Sequence, residues 1–343
     1  MFGVILKVLV KGGAGYIGSH TVLSLLEKGH VPVVVDNLSN SSVESLNRVT
    51  EITGKPIEFH NIDLCDEEAF PSFMREQTFD AILHFAGFKA VGESVANPLK
   101  YYQNNIGSTV SLLKAINAST SASPPKVIFS SSATVYGNST ELPLTESSKT
   151  GEGITNPYGF TKFVCERILT DTAEANPAFQ AIALRYFNPI GAHESGRIGE
   201  DPAGIPNNLA PYITQVASGK LSELSVFGDD YDTADGTGIR DYIHVMDLAE
   251  GHVAALGLND LGFHAVNLGT GQGTSVFELL NAFENVVGRQ IPFAVTPRRP
   301  GDIASCYADT SLANQLLGWS STREIDEACA DAWRWQSRNP QGY

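Results

Sequence analysis

An apolar, β-branched-rich run over Val4–Val10 feeds into Gly12-Gly13-Ala14-Gly15-Tyr16-Ile17-Gly18, and Ile17, Val22, Leu25 and Leu26 continue at helical spacing as far as Lys28. A strand, a glycine turn and a helix in that order leave few folds open. The segment satisfies G-x-x-G-x-x-G and, from Gly13, G-x-G-x-x-G; glycine serves the tight turn, the close approach of backbone to a pyrophosphate and the packing of helix on strand, and the phosphates then face a helix N-terminus. Glycine turns also close strand–helix units for steric reasons alone. The deciding feature is Asp36 at the end of a second apolar run, Val31–Val35. A carboxylate there accepts from ribose hydroxyls and repels a 2′-phosphate, so the expected cofactor is NAD rather than NADP.

The same alternation continues. Ala81–Ala86 and Val127–Ser130 read as strands, with a helical stretch around Ile106–Ile116 between them. Strands apolar throughout and separated by helices predict an α/β fold: a Rossmann-type doubly wound parallel sheet covered on both faces. The 343 residues suggest two domains at about 150 residues each. We place the nucleotide domain at 1–187, with 240–268 returning to it, and a smaller mixed α/β substrate lobe at 188–343. Asn188–Pro211 reads as a long functional loop and Asp229–Gly238 as a surface turn. Beyond them we expect a strand at Asp241–Val245, a helix from Asp247 to Leu258, a strand near Ala265–Leu268 and a helix over Val276–Val287.

A net charge of −15 argues against nucleic acid or an anionic membrane as partner. The opening Met1–Val10 run resembles a signal h-region but lacks a basic flank and a cleavage site, so a first strand is the better reading. No apolar run reaches the roughly 18 residues of a membrane span. Cys65, Cys165, Cys306 and Cys329 are far apart, which suits a reducing, cytoplasmic setting and gives no metal site. No metal is expected.

Asn156-Pro157-Tyr158-Gly159-Phe160-Thr161-Lys162 contains a helix start: Thr155 or Asn156 can cap, and Pro157 suits the first turn. Tyr158 and Lys162 then share one helix face. A cation beside a phenol favours the phenolate and makes it a proton acceptor near neutrality. Ser130-Ser131-Ser132 ends a predicted parallel strand, where ligands bind in open α/β sheets. A hydroxyl there bridges a substrate hydroxyl to the phenol. Taken together, these features favour proton removal coupled to hydride transfer.

These motifs resemble the extended short-chain dehydrogenase/reductase family. Within it, His84–Ser94, Ile128–Gly137, Leu184–Ala192, Gly204–Leu209 and Gly238–Val245 are similar to the members that invert C4 of UDP-hexoses, and the likeness runs from Val8 to Tyr343. It implies interconversion of UDP-galactose and UDP-glucose through a 4-keto sugar that turns over in the site. Ser132, Tyr158 and Lys162 would be catalytic. It further implies that Tyr16, Ile17, Asn37, Asn40, Ser41, Asp63 and Leu64 line the NAD site. Phe85, Ala86, Lys89, Asn104, Ser130 and Phe187 would complete it. For the UDP-sugar, it implies Lys89, Asn188, Asn207, Asn208 and Leu209 as contacts, with Phe227 against the uracil. Arg240 and Arg299 would hold phosphates, where planar bidentate donors suit such oxygens, and Asp302 would accept from the uridine ribose. The resemblance also implies a homodimer joined by helices of the nucleotide domain.

Two departures stand out. Lys11 occupies a position usually held by Thr in this family; it either snorkels to solvent or costs stability. Cys306 aligns with a pocket position that is bulky in members confined to plain sugars and small in those accepting N-acetyl sugars, so N-acetylated substrates are expected to be tolerated. A nucleotide-sugar 4,6-dehydratase would need Asp-Glu after the strand-end hydroxyl, where this chain has Ala133 and Thr134. A catalytically silent NAD-binding scaffold is the alternative from another class, and the Ser132, Tyr158 and Lys162 set speaks against it.

Overall fold

A computed structural model describes residues 4–119, 123–202, 204, 206–299 and 301–343. Met1–Gly3 of the opening run, and Ile205 within the Gly204–Leu209 motif, lie outside them.

The chain begins β1 (Lys7–Lys11), α1 (Tyr16–Glu27), β2 (Val31–Asp36), α2 (Val43–Thr53), β3 (Glu58–Asn61), α3 (Ala69–Glu76) and β4 (Ala81–His84). The helices α4 (Val91–Ala96) and α5 (Pro98–Tyr101) follow, then a π-helical turn over Tyr102–Ile106 that runs into α6 (Gly107–Ala118). Next come β5 (Lys126–Ser132), a 3-10 turn over Ala133–Tyr136, α7 (Pro157–Ala175) and β6 (Gln180–Tyr186). The C-terminal part holds β7 (Asn188–Ile190), α8 (Leu209–Ala217), β8 (Leu224–Phe227), β9 (Ile239–Arg240), β10 (Tyr242–His244), α9 (Val245–Ala255) and β11 (Gly262–Leu268). It ends with β12 (Thr274–Ser275), α10 (Val276–Val287), β13 (Phe293–Thr296), β14 (Ser305–Cys306), α11 (Ser311–Leu317) and α12 (Ile325–Arg338).

The first compact unit comprises residues 1–137, 150–185 and 249–266. Its sheet runs β11-β6-β5-β4-β1-β2-β3, with β3, β2, β1, β4 and β5 paired in parallel. This is the doubly wound order, which reverses direction beside β1 and there opens a crevice at the strand C-termini. The expected Rossmann-type fold is present. Leu9, Val33, Ile82, Val127 and Ala181 carry its core, with Leu112, Leu169 and Phe179 packed against the sheet. The returning segment is tied in by Lys126 Nζ donating to the Leu256 carbonyl at 2.6 Å and Gln180 Nε2 donating to the Leu258 carbonyl at 2.9 Å.

The second unit comprises residues 138–149, 186–248 and 267–343. Its core joins α8, α10 and α12 through Ile213, Leu279, Phe283, Cys329 and Ala332. Residues 138–149, read from sequence as part of the nucleotide domain, belong here because backbone and side chains hold them: Leu144 N–H donates to the Tyr307 carbonyl at 2.9 Å, and Asn267 Nδ2 donates to the Leu144 carbonyl at 2.9 Å. The segment returning to the first unit starts at Ala249 rather than near 240. The expected loop over Asn188–Pro211 is bracketed by order, since β7 opens it and α8 begins at Leu209.

Candidate active site

In the first unit the glycine turn has the shape its sequence demands. Gly12 has φ +79°, and a Cβ there would lie 2.7 Å from the Ala86 backbone nitrogen; a Cβ on Gly18 would lie 2.2 Å from the Gly12 carbonyl oxygen. No side chain larger than hydrogen fits either place. Gly15 caps α1 without a side-chain hydrogen bond, and the first turn carries no acidic residue. The helix therefore presents bare N–H groups and its positive dipole end, the setting that receives a pyrophosphate.

Asp36 is buried at the end of β2. It accepts from Ala14 N–H at 3.0 Å, Leu38 N–H at 2.9 Å and the Ser41 hydroxyl at 2.9 Å. A carboxylate has about four acceptor sites, so capacity remains for a ribose hydroxyl. Asn37 donates to Asp63 at 3.1 Å, and Lys89 lies 5.7 Å over the Tyr16 ring. Ile17 lies in the first turn of α1, Leu64 follows Asp63, and Asn40 is exposed on the loop after β2. Phe85 and Ala86 donate their N–H groups to the Lys11 carbonyl at 2.8 and 3.0 Å, and Asn104 donates to Asn105 at 3.0 Å. Glycine geometry, a bare helix end and an engaged ribose acceptor together fit NAD.

Ser132, Tyr158 and Lys162 are brought together. Asn156 caps α7 by accepting from Gly159 N–H at 2.8 Å. Thr134 donates to Ser132 Oγ from both its N–H, at 3.2 Å, and its hydroxyl, at 3.0 Å. With both lone pairs so engaged, the Ser132 proton is left to act on the neighbouring Tyr158, whose phenolate the hydroxyl favours. Thr134 was missed as an orienting residue because a single Thr carries no pattern. Gly159 lets α7 come close: a Cβ there would sit 3.0 Å from Thr134 Cβ.

One electrostatic expectation is corrected. Burial pushes the Tyr158 phenol above its ordinary value, and the neighbouring Ser132 hydroxyl works against it. Lys162 directs its short bond to the Ser130 carbonyl, at 2.6 Å, and sits 4.9 Å over the Phe129 ring. Burial lowers its own pKa to about 8, partly opposed by Cys165 and Glu166. Both groups lie in a dry environment, where desolvation outweighs the help a cation gives a phenolate.

Lys11 does not snorkel. It is fully buried; its ammonium donates to the Ser108 carbonyl at 3.3 Å and lies 4.8 Å over the Phe70 ring. Burial holds its pKa well below the usual lysine value, with nearby Cys65 pulling slightly the other way.

The second unit gathers the residues assigned to the UDP end. Arg240 pairs with Asp302 and donates to the Ile239 carbonyl at 2.8 Å. Arg299 stacks 3.9 Å over the Phe227 ring, while Arg298 turns away to Asp230 at 2.6 Å and to the Tyr231 ring. The dipeptide is thus split between two roles. Cys306 on β14 pairs with Arg240 of β9, and burial raises its thiol to about 11, so it is a neutral, small wall. Asn208 donates to Glu200 at 2.9 Å, Asn188 N–H donates to the Asp241 carbonyl at 2.9 Å, and Asn207 and Leu209 flank the start of α8. Phe187 is buried just after β6, within this unit. Sequence reasoning missed Asp241, whose buried carboxylate accepts from Thr270, Gly271 and Ala308 and so fixes the backbone beside Cys306. It also missed Tyr231, whose buried hydroxyl has no hydrogen-bond partner among the described residues.

Comparison with known proteins shows the family and the fold. Residues 9–332 match the family model described as GDP-mannose 4,6 dehydratase, although Ala133 and Thr134 supply neither acid nor base for a dehydration. The UDP-glucose 4-epimerase of Bacillus subtilis (strain 168) is 57% identical over 340 residues, covering 98% of this chain and 99% of its own length. The Mus musculus UDP-glucose 4-epimerase is 54% identical over 345 residues, covering 98% of each. The crystal structure of UDP-glucose 4-epimerase from Bifidobacterium longum, in complex with NAD+ and UDP, superimposes with TM-score 0.94 at 53% identity, covering 98% of this chain and 100% of that one. On fold, glycine turn and near-complete likeness alike, this chain belongs to the UDP-glucose 4-epimerase family.

Proposed function

We propose that the chain interconverts UDP-galactose and UDP-glucose by NAD-dependent oxidation and re-reduction at sugar C4. The observation carrying this reading is the grouping of Ser132 beside Tyr158, with Lys162 5.8 Å from the phenol ring, one helical turn away and anchored to the same strand. Gly12, Gly15, Gly18, Asp36 and Lys162 would hold NAD. When bound there, it would supply a hydride acceptor and donor for C4 and a pyridinium charge that would favour the phenolate burial opposes. Ser132, its lone pairs engaged by Thr134, turns its proton to the sugar 4-hydroxyl oxygen once substrate is bound and so orients it. Tyr158 takes the proton at its phenolic oxygen and gives it back after the 4-keto sugar has turned over. Arg240, Arg299 and Phe227 suit the diphosphate and uracil, holding the nucleotide while the hexose rotates. The Tyr231 hydroxyl, buried near Asp302 and Arg240, suits a further polar contact to the nucleotide.

Cys306, small and uncharged, supports acceptance of UDP-N-acetylglucosamine and UDP-N-acetylgalactosamine. A homodimer is supported by the exposed apolar residues Val95, Leu99 and Phe160 on α4, α5 and α7. Among the described residues no helix is long and apolar enough to cross a membrane. Four free thiols suit the reducing cytoplasm. The test is conversion of UDP-galactose to UDP-glucose by purified protein with no NAD added. Turnover is expected; its absence, even with NAD supplied, contradicts the reading.

A further inference from the structure

Three consecutive residues of β5 meet, one by one, three residues of α7 spaced a helical turn apart, and two of these meetings are hydrogen bonds. The Ser132 hydroxyl lies beside Tyr158 and favours its phenolate. The Ser130 carbonyl accepts from Lys162 at 2.6 Å. Ser131 donates to Glu166 Oε1 at 2.5 Å. The first two pairs belong to the chemistry proposed above; the third lies one turn beyond it, on the same helix face.

Glu166 is only 4% exposed, and Arg185 of β6 only 5%. Arg185 grips both carboxylate oxygens, through Nη2 at 2.6 Å and Nε at 3.0 Å. It also donates to the Tyr136 hydroxyl at 3.1 Å and lies 5.0 Å over that ring. Tyr136 closes the 3-10 turn that starts directly after Ser132. One buried ion pair thus connects the end of β5, the turn that orients Ser132, the helix bearing Tyr158 and Lys162, and β6.

We propose that Glu166 and Arg185 are a positioning pair that fixes the register of α7 against β5, and so the mutual placement of Ser132, Tyr158 and Lys162. Stability alone does not call for such a pair, because apolar residues of like volume commonly replace a buried ion pair without loss. Register does. A helix advanced by one residue moves about 1.5 Å and turns about 100°, which takes the phenol away from Ser132. Glu166 has an electrostatic share as well. The charged and titratable groups acting on Lys162 are Cys165 and Glu166 of its own helix, and His84 of β4 is coupled to it. Glu166 is a buried carboxylate among them, and its charge favours the Lys162 ammonium.

The inference rests on the reading of Ser132, Tyr158 and Lys162 as catalytic, so Tyr158→Phe is assayed alongside. In the holoenzyme, Ser131→Ala leaves the ion pair intact and removes only its link to β5. Its kcat is expected to fall about tenfold, as small misplacements of reacting groups do, with KM for UDP-galactose and bound NAD within twofold of the parent. Glu166→Gln is expected to lower kcat further and to move the alkaline limb of its pH profile to lower pH, because Lys162 loses a neighbouring negative charge. If Glu166→Gln does not fold, Ser131→Ala decides alone. An inactive Tyr158→Phe beside a Ser131→Ala enzyme with parental kcat, or with a change in KM only, overturns the positioning role and leaves the catalytic reading standing. An active Tyr158→Phe overturns both.

Discussion

Lys162 sits one helical turn from Tyr158, with its ammonium 5.8 Å from the centre of the phenol ring and its short hydrogen bond directed to the Ser130 carbonyl. The cation is therefore held by the sheet, and its own proton becomes the vulnerable one. With a pKa of about 8, below the ordinary lysine value, the ammonium predominates below pH 8 and is lost above it. The pH profile of kcat/KM for UDP-galactose should fall above about pH 8. A profile flat to pH 10 contradicts a required Lys162 ammonium.

Lys11 carries the same sign into stability. Its folded pKa is depressed, so across the interval from that value up to the unfolded lysine value the unfolded chain binds more protons. Stability therefore rises with pH in that window and falls as pH drops through it. Lys11→Met keeps the aliphatic volume and removes the buried charge. It should stabilise by about 1–4 kcal/mol, as apolar replacements of buried charges do, and flatten the alkaline rise in urea unfolding. A destabilised Lys11→Met protein would show that the Ser108 bond and the Phe70 contact outweigh burial.

Gly18→Ala places a methyl group 2.2 Å from the Gly12 carbonyl, which backbone alone can relieve. Purified Gly18→Ala protein should retain less than about a tenth of the parent's bound cofactor, since overpacking costs typically 1–3 kcal/mol. Cofactor content is read by absorbance after denaturation. Parental content would mean that the turn does not set cofactor affinity.

Much of the first unit was legible because its determinants are local. The glycine turn, Asp36 and the Asn156-Pro157 helix start each act within a few residues of sequence. What stayed hidden depends on distant partners. Glu58–Asn61 is a short strand of intermediate and exposed residues, with no apolar run to mark it as β3. The burial of Lys11 is set by Phe70 and Ser108, far along the chain. The Glu166–Arg185 pair spans 19 positions and shows no spacing that marks it. In the second unit the Arg298-Arg299 dipeptide reads as ordinary surface charge until Phe227 and Tyr231 separate the two side chains.

Cys306→Tyr should separate two activities. A bulky ring beside Arg240 leaves no room for an N-acetyl group, so the ratio of kcat/KM for UDP-N-acetylgalactosamine over UDP-galactose should drop at least about tenfold, a modest steric discrimination. Equal retention of both activities would remove Cys306 from specificity.

The most direct test is Tyr158→Phe in the purified holoenzyme, measured as UDP-galactose turnover together with bound NAD. Removing the phenolic oxygen beside Ser132 should lower kcat by at least about a hundredfold, the range for loss of a general acid–base, while cofactor content stays at the parental level. Turnover within a few-fold of the parent would mean that the proton goes to another group.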